Sequence, residues 1–441
     1  MLGAIEISGG DTAWVLISAA LVLLMTPGLA FFYGGMVRAK GVINMMLMSL
    51  ITMGIVSVLW VLFGYALTFG DSGSAWYGAL DFSGLGGLVD AVPNNGGEYP
   101  IPVLAFAAFQ LMFAIITPAL ISGAIADRTK FIGWAVFVTI WVSVVYFPVA
   151  HWVFDFGTLA DETITGAGFL AGKGVLDFAG GTAVHINAGA AALALALVLG
   201  KRVGFRRDPM RPHSIPFIVL GAALLWFGWF GFNAGSSLGA NGTAALAFMN
   251  TQVATGAAML GWLLVEKIRD GHMTGLGAAS GAVGGLVAIT PACAFVAPWA
   301  AVVIGLVAGM LTALAVGLKY KLGYDDSLDV VGVHLVGGLW GTVSIGLFGT
   351  TAVNGLGADG LFYGGGTTLL GKQVFGALLV MAYSFVVTAI LGLAINKTIG
   401  FRIDRDAEVE GIDLTEHAET AYELDARTGS GFGSLRAAEE V

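Results

Sequence analysis

Two histidines, His185 in DFAGGTAVHINAG and His334 in DVVGVHLVGG, sit in apolar sequence, each eight residues after an aspartate, Asp177 and Asp326. A neutral imidazole offers one donor and one acceptor. A pair of them could bind a metal, relay a proton, or hydrogen-bond a small amine stripped of water. Metal binding has little support: no third ligand sits at suitable spacing, and the single cysteine, Cys293, is isolated. The plain alternative is two core histidines satisfied by backbone carbonyls. Aspartate is a good N-cap and suits the positive end of a helix dipole, so each histidine helix is expected to begin at its aspartate. Eight residues at about 1.5 Å each would put the imidazole roughly 12 Å into its helix. That depth approaches the middle of a hydrocarbon core about 30 Å thick.

Aromatic residues are the second candidate constellation. Phe109 and Phe113 stand at i and i+4 in FQLMF, on one helix face. LLWFGWFGFNAGSS carries Trp226, Trp229, Phe230 and Phe232, followed by Asn233 and Ser236. No charge lies among them, so they offer no salt bridge. Ring faces attract a monovalent cation, a hydroxyl such as Ser236 can accept a hydrogen bond from it, and bulky rings can close a pore by excluding water. The bland reading is packing or lipid-facing aromatics.

The elements that must position these groups follow from composition. Of 441 residues 57% are hydrophobic and 11% charged, about half the charged fraction of a soluble domain. The chain therefore reads as all-α and polytopic in a membrane, where an ionisable residue by default marks a pathway. Its 67 glycines suit close helix packing. One cysteine excludes an internal disulfide, the net charge of -9 gives no hint of nucleic-acid binding, and, with no basic n-region or small-residue cleavage site before the first apolar run, no cleaved signal peptide is expected. Eleven apolar runs are placed near 12–35, 42–69, 101–126, 131–153, 177–200, 215–238, 244–266, 275–297, 299–318, 330–352 and 373–396.

With the N-terminus outside, 18 of the 20 basic residues fall on the inner side and only Lys173 and Lys372 outside. The positive-inside rule then fixes an N-out, C-in orientation. The fifth helix runs inward and the tenth outward, so the two histidines converge near the midplane. The Asp-to-His unit recurs after 149 residues, and Ile116-Thr117-Pro118 is echoed at Ile289-Thr290-Pro291. Helices 1–5 and 6–10 thus read as an inverted repeat with an eleventh helix outside it. Residues 1–399 form the membrane domain and 400–441 a polar tail.

The stretches PGLAFFYGGMVRAK, AFQLMFAIITPALISGAIADR, DFAGGTAVHINAG, GWFGFNAGSS, NGTAALAFMNT, TPACAFV and DVVGVHLVGG resemble, in order, those of the ammonium transporters of the Amt/Mep/Rh family, in their bacterial branch. The resemblance implies transport of ammonium or ammonia across the cytoplasmic membrane by a homotrimer with one pore per protomer. The sequence offers no nucleophile–base arrangement, phosphate-binding glycine loop or metal cluster, so no enzymatic activity and no cofactor are expected. The resemblance also implies that Phe113 and Phe232 form a stacked phenyl gate with Phe109 at its outer approach. Ser236 would belong to an external recruiting site supported by Asp177, and His185 and His334 would line the pore near Trp229 and Thr290. Where the family commonly carries Trp in the outer cage, the aligned residue is Phe154, a weaker cation-binding face; Trp152 would point elsewhere on the helix. Asp155, Asp161 and Glu162 in the loop that follows are expected to compensate electrostatically, within an acidic outer surface (Asp71, Asp81, Asp90, Glu98).

The tail carries 9 acidic residues from Asp404 to Asp425, and by composition reads as a solvated segment, open to disorder. GIDLTEHAETAYEL resembles the family's tail motif, which implies coupling between protomers and regulation by a PII signal protein. Here Ala418 replaces the usual glycine, and Glu416, His417 and Tyr422 read as regulatory or packing residues. Two other functions stay open: an ammonium sensor working through its tail, and a permease for another small solute such as methylamine or carbon dioxide.

Overall fold

A computed structural model describes residues 6–88, 91–160 and 163–422. Asp90, Asp161, Glu162 and residues 423–441, on which some of the expectations above fall, lie outside them. Among the described residues ten helices are long and apolar enough to cross a membrane. They are α1 (Gly9–Met36), α2 (Ala39–Phe69), α3 (Val103–Ile125), α4 (Phe131–Phe154), α5 (Gly181–Leu199), α6 (Ile215–Gly235), α7 (Gly242–Asp270), α9 (Pro298–Leu322), α10 (Val331–Phe348) and α11 (Thr368–Thr398). The shorter apolar α8 (Gly275–Ile289) stands between α7 and α9. Two three-residue strands, Thr158–Ala160 and Thr163–Thr165, pair antiparallel in a loop.

The helix starts are written locally. Ser8, Ser214, Asn241 and Thr274 each accept a backbone N–H of the turn they open, capping α1, α6, α7 and α8. Two boundaries differ from expectation. The apolar run to 297 is not one helix: α8 stops at Ile289, just before Pro291, which cannot donate the next helical N–H. Nor do α5 and α10 begin at Asp177 and Asp326. They begin at Gly181 and Val331, because each aspartate reaches forward across an intervening turn to the first helical amides. Gly180 in that turn has φ +118°, a conformation open to glycine. His185 is therefore four residues, about 6 Å, into its helix rather than eight.

Packing relies on small residues. Helices α1 and α6 run antiparallel, with Gly28 against Leu224 and Leu225 and Gly231 against Leu21 and Ser18. Gly305 and Gly309, one turn apart on α9, face the carbonyls of Ala254 and Ala258 on α7. Loops gather at two ends of the bundle. At the Asp177 end, Phe178 bonds to Pro291 and Phe295 to Thr350; at the Asp326 end, Lys130 bonds to Phe401 and Ser327 to Ala124.

The tail is folded up to residue 422, contrary to its composition. Helices α12 (Arg405–Glu410) and α13 (Ile412–His417) lie on the Asp326 end. Asp413 accepts the amides of Ile43 and Asn44 (3.0 and 2.8 Å), and Glu416 accepts that of Phe131 (2.9 Å). These carboxylates serve the N-termini of α2 and α4, where an anion is favoured. His417 bonds to Asn44 and Tyr422 to His213, both at 2.9 Å. Ala418 has φ +55°, so it occupies the left-handed position where glycine would be unstrained.

A Cβ at Gly309 would lie 2.0 Å from the Ala258 carbonyl oxygen. Gly309→Val is expected to push α7 and α9 apart and to destabilise the bundle by about 1–3 kcal/mol. The thermal midpoint in detergent reads this directly; an unchanged midpoint means the helices do not pack at this register.

Candidate functional site

The two histidine helices cross antiparallel and in register. Gly189 packs on Leu335, Gly338 on His185 and Ile186, and Thr182 Oγ1 lies 3.3 Å from Thr342 Oγ1. A Cβ on Gly189 would sit 2.5 Å from the Leu335 nitrogen, so the close crossing requires a residue without one. Both histidines lie in wide π-helical turns, Gly181–Ile186 and Val331–Leu335. The two imidazoles meet, Nδ1 to Nδ1, at 3.2 Å, with ring planes 20° apart. Both rings are buried, and among the described residues His185 Nε2 has no hydrogen-bond partner. The structure thus brings the two rings together, although each helix starts later than its aspartate.

Asp177 anchors one of these helices as an anion at its N-terminus. Its Oδ1 accepts the amides of Gly180 and Gly181 (2.7 and 2.8 Å), and Oδ2 those of Thr182 and Ala183 (2.7 and 3.1 Å). Asp326 accepts the amides of Val330 and Val331 (3.1 and 2.7 Å) in the same way. Burial raises the Asp326 carboxyl above the usual range, opposed by the Lys319 ammonium and those two amides.

The aromatic residues stack towards the histidines in a continuous series. Phe109 meets Phe113 edge-on (5.0 Å between centroids), and Phe113 faces Phe232 at 4.2 Å and 30°. Phe232 lies 6.2 Å from His185, and Trp229 stacks on that imidazole at 5.4 Å and 19°. The Trp229 indole donates to Thr290 Oγ1 (2.7 Å), which itself donates to the Leu286 carbonyl (2.7 Å). Ser236 Oγ donates back to the Phe232 carbonyl (2.8 Å), leaving its lone pairs free to accept from a ligand.

A narrow cavity runs beside the histidines, lined by Met25, Leu29, Phe32, Ile116, Leu120, Val184, Leu225, Trp229, Phe232, Val283, His185 and His334. None of these carries a full charge when the histidines are neutral. Sequence reasoning missed the aliphatic part of this wall. Met25, Leu29 and Val283 look like any core residues, and no local signal separates them.

Other expected residues sit apart. Phe154 is buried at the end of α4, its carbonyl accepting from Asn95 Nδ2 (2.8 Å), and among the described residues no ring pairing joins it to Phe109 or Phe113. Trp152 points elsewhere, towards Tyr383 and Trp76. Asp155 Oδ2 lies 3.1 Å from the His151 Nδ1. Among the described residues no three His, Cys, Asp or Glu side chains are grouped to hold a metal ion.

A family model described as Ammonium Transporter Family matches residues 13–422. The chain belongs to the ammonium transporter family. An ammonium transporter of Mycobacterium bovis is 56% identical, the match covering 96% of this chain and 92% of that one. One from Bacillus subtilis is 46% identical over 94% of this chain and 98% of its own. Among solved structures, Candida albicans Mep2 superposes with a TM-score of 0.84 at 33% identity, covering 95% of this chain and 94% of Mep2. A Sensor Amt Protein gives 0.83 at 29%, covering 92% and 98%. This ammonium transporter family member is thus a multi-pass membrane protein of a transporter family, not an enzyme family.

An Nδ1–Nδ1 hydrogen bond between neutral rings needs one Nδ1–H and one Nε2–H tautomer. Nitrogen-15 spectra of the histidine-labelled protein are expected to show His185 and His334 as opposite tautomers. Two identical tautomers would exclude the bond.

Proposed function

We propose that this protein carries ammonium, as ammonia through its apolar stretch, across the cytoplasmic membrane. The observation that carries this reading is the Nδ1-bridged histidine pair in a cavity whose other walls are apolar or aromatic. A bare cation there would meet a desolvation cost of order tens of kcal/mol in a dry interior, whereas neutral ammonia can exchange hydrogen bonds with imidazole. The Asp177 end faces outward and the Asp326 end inward, since the latter's loops hold most of the basic residues. On this reading α8 crosses as the eleventh span, and α1–α5 and α6–α10 form an inverted repeat. The antiparallel crossing of α5 and α10 supports that arrangement.

Ammonium is recruited at the outer end by ring faces, Phe109 and Phe154 among them, and by the Ser236 hydroxyl. Asp177 acts there as a fixed negative charge and a helix anchor rather than as the proton acceptor, because four amides already occupy its oxygens. Ammonium loses its proton on this side, and ammonia passes when Phe113 and Phe232 part, then moves along His185 and His334. In the electrogenic form of this reading the proton follows through the bridged imidazoles; in the electroneutral form it stays outside. The working unit is a homotrimer in the lipid bilayer, with a PII signal protein as the partner at the tail face.

A second reading, ammonium sensing, is favoured by the likeness to a Sensor Amt Protein and by a tail docked on the ends of α2 and α4. Purified protein in liposomes separates the two. An ammonium jump is expected to give a saturable current that empty liposomes lack and that His185→Ala abolishes. A near-normal saturable current in His185→Ala would remove the proton relay. No current in the native protein, together with no luminal pH change, would favour sensing. Competition by methylamine or carbon dioxide would separate the reading from a permease for another solute.

A further inference from the structure

We propose that Gln373 is a positioning residue for the histidine pair, its buried amide locking the turn that carries Asp177 onto the helix that carries His334. The proposal rests on the transport reading above. Gln373 lies in the first turns of α11, the helix that the repeat leaves out, and is completely buried. Its Oε1 accepts the Leu176 amide at 2.8 Å, and its Nε2 donates to the Leu176 carbonyl at 2.7 Å and the Thr342 carbonyl at 3.2 Å. One side chain therefore pairs with both backbone groups of Leu176, as a neighbouring strand would, and holds α10 with its remaining donor.

The placement gives those bonds their consequence. Leu176 immediately precedes Asp177, whose carboxylate gathers the amides of Gly180 to Ala183 at the start of α5. Thr342 is two turns beyond His334 on α10, and its hydroxyl faces that of Thr182 on α5. The contacts close a ring, from Gln373 through Leu176, Asp177 and Thr182 to Thr342 and back. The ring sets how far α5 can slide along α10, and so whether the two Nδ1 atoms meet. At the opposite end the corresponding turn is held by charge. Arg128 grips the Asp325 carbonyl and the Ser327 hydroxyl (both 2.6 Å), and Arg202 binds the Asp325 carboxylate. At the Asp177 end the hold on the turn is instead a neutral amide.

Leucine at this position would leave the Leu176 amide and carbonyl without this partner and remove the second donor to the Thr342 carbonyl. A carboxylate could still accept the Leu176 amide, but would present lone pairs to both carbonyls; only its protonated form can donate to one of them. Native protein, Gln373→Leu and Gln373→Glu are therefore compared in liposomes, each ammonium current divided by that of native protein at the same pH. Gln373→Leu is expected to lose about ten-fold or more of the current at about pH 8 and about pH 5, since misplacement of a positioned group by about 1 Å suffices for such losses. Gln373→Glu is expected to lose as much at about pH 8 and to recover several-fold at about pH 5.

A Gln373→Leu current within about two-fold of native, or a Gln373→Glu ratio that does not rise in acid, overturns the proposal. If Gln373→Leu does not fold, the acid recovery of Gln373→Glu decides alone. Amide hydrogen exchange at Gly180 to Ala183 reads the positioning without any transport. Faster exchange in a folded Gln373→Leu supports the proposal and unchanged exchange overturns it. A native protein without ammonium current would count against the transport reading alone.

Discussion

Two imidazoles buried in apolar surroundings must find hydrogen-bond partners, and here each is the other's partner through Nδ1. The rest of the centre follows from that requirement. The backbones of α5 and α10 must cross closely, which Gly189 and Gly338 permit, one turn beyond each histidine. The π-helical turns at His185 and His334 re-aim both rings towards the crossing. Trp229 then lies flat against His185, and its indole N–H finds Thr290 at the end of α8. The early end of that helix before Pro291 thus belongs to the same construction.

Each half of the crossing is anchored by a carboxylate at a helix N-terminus, and the two anchors are held by different means. Asp326 sits in a network of buried ions: Arg202 with Asp127 and Asp325, and Lys319 with Asp329. Such ions cost desolvation and persist only when well paired. Asp177 is held by backbone amides and, through Leu176, by the neutral Gln373. The charge pattern at the two anchors is therefore asymmetric, although both aspartates hold the first amides of their helices in the same way.

The tail extends the use of carboxylates at helix ends. Asp413 and Glu416 bind the starts of α2 and α4, while Glu408 binds the Val203 amide (2.6 Å) and Arg402 (2.8 Å). Val203 follows Arg202, which holds Asp325, so the tail touches the ion network beside Asp326 and the start of α10. Composition alone suggested a solvated segment, because a run of acidic residues reads as self-repelling. Asp413, Glu416 and Glu408 instead meet backbone amides that no linear pattern displays.

Much of the fold was legible in residue order. Hydropathy placed nearly every span, since a helix in lipid must be apolar along its whole length. Repetition of Asp177–His185 as Asp326–His334 pointed to the paired centre, and the i, i+4 spacing of Phe109 and Phe113 to one ring face. Resemblance of motifs to a known family supplied the rest of the aromatic set. Helix starts, the end of α8, the pairing of Asp155 with His151, the docked tail and the role open to Gln373 were not legible. Each depends on which backbone group a polar side chain meets across the fold. Hydrophobicity and periodicity are properties of a segment and survive in one dimension. A hydrogen bond between residues far apart in the chain, such as Gln373 to Leu176, exists only once packing has brought its partners together.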